Sequence, residues 1–285
     1  MTESPLRIVL CTNGGLHGAL VLDRLLASPR IAVTGIVMSS RMLKPRDGFL
    51  RGAFGYARLC GLTYTLYLWC ATSLADALLC HASIAPVAKQ AKRKCIPILV
   101  TRRINDVEGA RFVDSAAPDL LVSAFFNQRI DESVATLPRY GAVNIHPGLL
   151  PDFRGVDPVF HATLQRRNEL GVSVHRIAAE FDRGDVLARE ARATDPRESI
   201  CWSTARLYDR GGELLIGLLD EIVRGAQGIP QPAGGNYDSW PTPAQVAVLR
   251  RQGGKLVAMR DLLNILRGRL RAKRAKRATQ PETGR

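Results

Sequence analysis

The sequence predicts an α/β protein: a mostly parallel, Rossmann-like sheet flanked by helices. Three observations point there. Short β-branched runs alternate with helical periodicities. A glycine turn, Asn13-Gly14-Gly15, joins the first run to the first helix. The runs are almost wholly apolar, as strands are when helices cover both faces of a sheet.

The first strand is Arg7-Ile-Val-Leu-Cys-Thr12. An apolar helical pattern follows over 18–27 (Leu20, Val21, Leu22, Leu25, Leu26), then a second strand over 31–38. Strand, turn, helix and strand make a βαβ unit, the start of a parallel sheet. The rhythm resumes with strands at 96–100, 120–125 and 141–145, and with a helix near 107–113. A further strand fits 185–190 and a long helix fits 200–224. The stretch 225–235, rich in glycine and proline, reads as a loop, with helices at 243–249 and 255–270 beyond it. Residues 271–285 lack apolar side chains and are expected to form a basic, disordered tail. The predicted organisation is therefore a catalytic domain over 1–225, a loop and helical extension over 226–270, and the tail.

Residues 41–92 interrupt the rhythm and are expected to be a helical insertion. Within them, 59–75 carry no charge and cluster Tyr64, Tyr67 and Trp69. A membrane span needs about 20 apolar residues, and Gly61, Thr63, Thr65, Thr72 and Ser73 dilute this stretch. Three readings stay open: helices packed on the core or covering a substrate, a segment at a membrane interface, or a span.

A length of 285 residues allows one large domain with an appendage and a core without covalent staples. The formal net charge of +14 is uneven. Residues 250–285 hold twelve Lys or Arg against Asp261 and Glu282, a surplus of ten, which leaves only +4 for the rest. That argues against a broad nucleic-acid face and for an appended electrostatic anchor, although such a tail can also hold RNA nonspecifically. Leu256, Met259, Leu262, Leu263, Leu266 and Leu270 recur at helical spacing, with Arg260, Arg267 and Arg269 elsewhere on the wheel. This stripe suits an anionic membrane, packing on the body, or a homodimer contact. Cys11, Cys60, Cys70, Cys80, Cys95 and Cys201 show no CxxC pair and no metal-ligand spacing, so reduced thiols and no metal are expected. Residues 1–7 carry no secretory pattern. The expected place is the cytoplasm, with the inner face of a membrane as the site a basic tail would favour.

The chemistry concentrates in Asn144-Ile-His-Pro-Gly-Leu-Leu-Pro151 and Phe181-Asp-Arg-Gly-Asp185. Asn144 offers an uncharged NH₂ donor to a developing oxyanion. His146 is two residues on, and in extended chain both side chains share a face. Its imidazole can donate to the oxyanion or move a proton near neutral pH. Asp182 comes from a separate turn and can orient His146 and hold a water. This is what acyl transfer to an amine requires: an oxyanion donor, a proton carrier and an orienting acid. In the first loop Asn13, Gly14 and Gly15 could present amides to an anion, or serve only as turn residues.

The block from Asn144 to Gly155 with Pro158 after it, together with Gly171-Val-Ser-Val-His-Arg-Ile177 and Phe181–Asp185, resembles the folate-dependent formyltransferases. These include glycinamide ribonucleotide, methionyl-tRNA and sugar-nucleotide formyltransferases. The resemblance covers roughly residues 7–40 and 96–225. It implies a formyltransferase fold, 10-formyltetrahydrofolate as donor, and Asn144, His146 and Asp182 as the catalytic trio. It assigns Phe125, Phe126, Asn127, Gln128, Ile130 and Gly184 to the cofactor. It places the acceptor near Asn13, Gly14, Gly15, His17, Arg154, Ser173 and His175. The glycinamide ribonucleotide enzyme cradles a phosphate on this first loop. The initiator-tRNA enzymes carry a C-terminal β-barrel that the helical pattern here does not match. The expected acceptor is therefore a small-molecule primary amine, an amino sugar nucleotide or a specialised metabolite, with nucleic acid disfavoured.

Overall fold

The computed structural model describes residues 4–44, 46–79 and 84–266, the side chains of Leu262, Ile265 and Leu266 excepted. The predicted tail lies outside them, as does the end of the helix expected at 255–270. The predicted βαβ unit is present as β1 (Leu6–Thr12), α1 (Gly15–Leu26) and β2 (Ile31–Ser39). After it come α2 (Phe49–Cys60), α3 (Leu62–Trp69), a π-helical turn at Cys70–Leu74, α4 (Ala75–Leu79) and α5 (Val87–Arg93). The chain returns to the sheet through β3 (Ile98–Thr101), α6 (Val107–Ser115), β4 (Leu120–Ala124), α7 (Glu132–Ala135) and β5 (Ala142–His146). Next are β6 (Arg154–Gly155), α8 (Pro158–Leu164), β7 (Glu169–Arg176) and β8 (Val186–Ala193). Last come α9 (Ile200–Val223), β9 (Tyr237–Asp238), α10 (Pro243–Arg251) and α11 (Met259–Leu266).

Seven strands lie in the order β3-β2-β1-β4-β5-β7-β8. The first five are parallel, and β7 and β8 run antiparallel at the end. Sequence reading assigned no strand to 169–176. That segment does alternate, with Leu170, Val172 and Val174 against Gly171, Ser173 and His175, the period-two signature of a strand. The polar members masked it because they look like site residues rather than a strand face.

Two apolar cores cover the sheet. One gathers α1, α8, α9 and the inserted helices around Leu10, Val122, Ile145 and Val174. The smaller one lies under α6 and α7 around Val9, Cys11, Leu121 and Val134. Helices α1 and α9 are fastened by Arg24, whose guanidinium donates to both oxygens of Asp209 at 2.6–3.0 Å, a charge-assisted fork in a half-buried place. Gly211 lets α9 lie directly on the sheet. A methyl group there would stand 2.3 Å from Ile145 Cγ2.

The segment expected to be an insertion is helical and packed on the first core. Tyr64 and Tyr67 are buried, their rings 5.2 Å apart, and Tyr64 meets Phe160 at 5.8 Å. The opposite side leaves Phe49, Leu50, Phe54, Leu62 and Leu66 exposed. No helix among the described residues is long and apolar enough to cross a membrane, which removes the spanning reading of 59–75. Its last helix, α5, packs on α1 and delivers the chain to β3 as a crossover helix does.

Candidate active site

Asn144 and His146 sit at the carboxyl end of β5, and the pairing with β7 sets Asn144 opposite His175 and His146 opposite Ser173. Asp182 arrives on the loop between β7 and β8. Its Oδ1 is the point of convergence: Asn144 Nδ2 at 3.3 Å, His175 Nε2 at 3.5 Å and His146 Nδ1 at 3.6 Å. Its Oδ2 accepts the Gly155 N–H at 2.9 Å. The carboxamide, the ring and the acid thus meet from two distant turns, as the sequence suggested.

The hydrogen bonds fix the roles of the ring nitrogens. His146 Nε2 donates to the Phe153 carbonyl at 2.9 Å, so in the neutral ring Nδ1 is the unprotonated nitrogen, and it faces Asp182. His175 Nδ1 donates to the Arg176 carbonyl at 2.7 Å, which leaves Nε2 to accept from Asn144 Nδ2 at 3.1 Å. Burial pushes the His146 imidazole below its ordinary value, and Asp182 only partly offsets this. Burial alone would raise the Asp182 carboxyl, but His146, His175 and the Gly155 N–H hold it well below the usual carboxylate range. At neutral pH the ring is uncharged, and Asp182 stays ionised through the Gly155 and Asn144 hydrogen bonds.

These groups face a cavity of about 650 Å³ across the carboxyl ends of the strands. Its lining falls into two parts, or lobes, according to the core that each packs against. Phe126 and Ile177 flank the first lobe and pack on the smaller core. There Asn127 donates to the Arg41 carbonyl at 2.7 Å, and Gln128 donates to Ser39 and to the Thr101 carbonyl. The second lobe lies over the larger core and is aromatic. His17 stacks between Phe125 and Tyr208 at centroid distances of 4.7 and 5.3 Å. Tyr64, Tyr67 and Trp240 complete it. Phe125, Asp157 and Asp182 all hold a left-handed backbone (φ 52°, 48° and 54°) and all line the cavity, a strain of about 1–3 kcal/mol each that the surrounding structure maintains.

Not every expected residue reaches the cavity. The trio does, with Phe125, Phe126, Asn127, Gln128, Ile130, Asn13, His17 and His175. Gly14, Gly15, Arg154, Ser173 and Gly184 do not line it. Gly14 N–H turns back to Thr12 Oγ1. Gly15 N–H is taken by the carboxylate of Asp76 on α4, and a Cβ at Gly15 would stand 2.7 Å from the Ala71 carbonyl. The Gly15 amide at the start of α1 is therefore occupied from within the chain, which favours the turn reading of these glycines over the anion reading. Arg154 is spent on the carbonyls of Gly234 and Gly235 at 3.0–3.1 Å. Ser173 accepts from Leu150 N–H and donates to the Gly148 carbonyl, holding the turn after His146. The Gly184 carbonyl accepts from Gln231, an anchor for the Asp182 loop. Sequence reading missed Asp157, Thr204, Tyr208 and Trp240. Thr204 and Tyr208 lie within a stretch read only as a long helix, and Trp240 lies just past a loop.

A family model described as formyl transferase matches residues 77–219. The methionyl-tRNA formyltransferase of Thermotoga neapolitana is 32% identical over 140 residues, which cover 49% of this chain and 45% of that protein. The chain thus spans about half the length of the curated relatives it matches. Glycinamide ribonucleotide transformylase 1 from Symbiobacterium toebii superposes with a TM-score of 0.55 at 14% identity, over 81% of this chain and 95% of that one. WlaRD, a sugar 3N-formyl transferase crystallised in the presence of dTDP and 5-N-formyl-THF, gives 0.51 at 14% identity, over 82% and 69%. At these identities the structural likeness shows the fold.

Proposed function

The chain belongs to the formyl transferase family, and on that premise we propose that it transfers a formyl group from 10-formyltetrahydrofolate to a primary amine of a small molecule. The observation that supports this most directly is the convergence of Asn144, His146 and His175 on Asp182 Oδ1, at the junction of two cavity lobes. The first lobe fits the flat donor: apolar Phe126, Ile130 and Ile177 flank a segment rich in hydrogen-bonding groups. When bound, the donor supplies an activated formyl carbon.

Asn144 polarises the formyl oxygen. Its contact with Asp182 is long, at 3.3 Å, so this N–H turns to the oxygen as charge develops there, while the bond to His175 keeps the amide in place. His146 takes the amine's proton on Nδ1, the nitrogen its Phe153 contact leaves unprotonated. Asp182 remains charged, steadies the imidazolium and holds the water that passes a proton to the leaving nitrogen.

An amino sugar nucleotide, glycinamide ribonucleotide or methionyl-tRNA would serve the same trio. Occupation of the Gly15 amide by Asp76 favours a small acceptor that puts no phosphate there. Mass spectrometry of an amine panel incubated with the donor tests the reading through the gain of one formyl group. Asn144→Ala should lower kcat by about 10²–10³. Near-normal turnover by that variant would refute the assigned role. A non-enzymatic binding module is the competing class, and it predicts no turnover at all.

A further inference from the structure

The two lobes differ in chemistry, and the aromatic one indicates what kind of amine enters. It is walled by Phe125, Tyr208, Tyr67 and Trp240, with His17 held between two rings. His17 is 1% exposed, and neither of its ring nitrogens has a hydrogen-bond partner of good geometry, the Cys201 backbone being the group nearest to one. Its burial keeps the ring uncharged down to a pKa of about 4, so it brings no cation to the lobe. Asp157 is committed to the Tyr64 hydroxyl at 2.7 Å and the Phe160 N–H at 3.2 Å. Among the described residues lining the cavity, Arg41 and Arg129 are the only Lys or Arg. Arg129 pairs with Asp131 at 2.7 Å, and the backbone carbonyl of Arg41 accepts from Asn127. The Arg41 charge acts on Tyr56, which packs edge-on against Trp240 at 4.9 Å, so a single cation stands at that end of the aromatic lobe. The entrance is apolar too. Phe49 and Trp69 line the cavity and are 65% and 46% exposed.

From this lining, together with the occupation of the Gly15 amide by Asp76, we infer that the acceptor is a primary amine on an apolar or aromatic body that carries no phosphate. A phosphate is held by several cations or free amides, whereas the lobe presents rings with the single Arg41 charge at its edge. This rests on the formyl-transfer reading and adds the acceptor class. In the step, the amine nitrogen bonds to the formyl carbon as the bond from that carbon to the folate nitrogen breaks. The amine loses one proton and the folate nitrogen gains one, giving an N-formyl amine and tetrahydrofolate.

The experiment incubates the full chain and 10-formyltetrahydrofolate with 2-phenylethylamine, octylamine, glucosamine 6-phosphate or O-phosphoethanolamine. It reads formylated product by mass spectrometry, and donor binding and 2-phenylethylamine binding by calorimetry. The expected result is kcat/KM at least about tenfold higher for the two apolar amines, and calorimetric binding of 2-phenylethylamine that inorganic phosphate does not displace. Trp240→Ala, at a half-buried wall position, should lower Tm through lost packing on Tyr56 and, in the folded protein, raise KM for 2-phenylethylamine about tenfold with donor affinity little changed. Preference for the phosphorylated amines would overturn the inference and leave formyl transfer standing, as would donor binding without turnover of either apolar amine. Failure to bind the donor at all would remove the formyl-transfer reading and the inference with it.

Discussion

Replacing Asp182 by asparagine keeps the shape of the site while removing its charge. The Gly155 N–H retains an oxygen to bond, so the loop should hold its place. What is lost is the attraction between the carboxylate and a proton on His146 Nδ1, 3.6 Å away. At an effective dielectric of 20, two unit charges at that separation attract by roughly 4–5 kcal/mol. Since about 1.4 kcal/mol is a factor of ten, kcat should fall by about 10³-fold to a few times that. The pH profile should move as well. His146 works unprotonated, so kcat/KM falls on the acid side as the ring takes up a proton. Burial lowers that pKa and Asp182 partly restores it. Asp182→Asn removes the restoring charge, so the acid limb should shift to lower pH while the plateau drops. Steady-state formylation between pH 4 and 8 (about the window that brackets an ordinary imidazole), with calorimetry of the donor, measures both. A variant within about threefold of wild type, or an acid limb moved to higher pH, would refute the electrostatic role.

His17 should make the fold acid-sensitive. An exposed imidazole in the unfolded chain binds a proton below about 6.5, whereas the native ring does so only near 4. Native stability should therefore drop by about 3 kcal/mol as pH falls through that window. His17→Phe should flatten this slope in urea titrations at a series of pH values, and parallel curves would count against it. Gly211→Val should cost about 1–3 kcal/mol, because its side chain would collide with Ile145 and Val172. An unchanged urea midpoint would mean that α9 does not lie as close to β5 as described. An electrostatic anchor at the basic terminus predicts that a chain ending at residue 266 loses affinity for anionic vesicles in cosedimentation, by about 1 kcal/mol per contacting cation. Equal sedimentation of both chains would assign the charge another use.

The βαβ start and the parallel strands were legible because apolar runs and a glycine turn are local signals. The trio was legible for a similar reason: two members share a strand face, and the third is marked by its motif. The antiparallel strand at 169–176 was harder to read, since Ser173 and His175 resemble site residues while their side chains hold a turn and orient Asn144. The lobes were not readable at all. Phe125 and Phe126, adjacent in sequence, pack against different cores, and the left-handed backbone at Phe125 just past β4 has no sequence signal. That Asp76 meets Gly15 is a contact between segments about sixty residues apart, and no spacing rule announces it.

Because α1 receives its counter-anion from α4, the start of the first helix and the inserted helices form one electrostatic unit. Detaching the insertion would uncover backbone donors that would have to recruit an anion from solution, so the two pieces should separate only at the cost of that exchange. The same link sets a barrier to change of substrate. Redirecting this scaffold toward a ligand anchored by phosphate at α1 would require removing the Asp76 carboxylate and displacing the main chain at Ala71. Neither change alone would open the position.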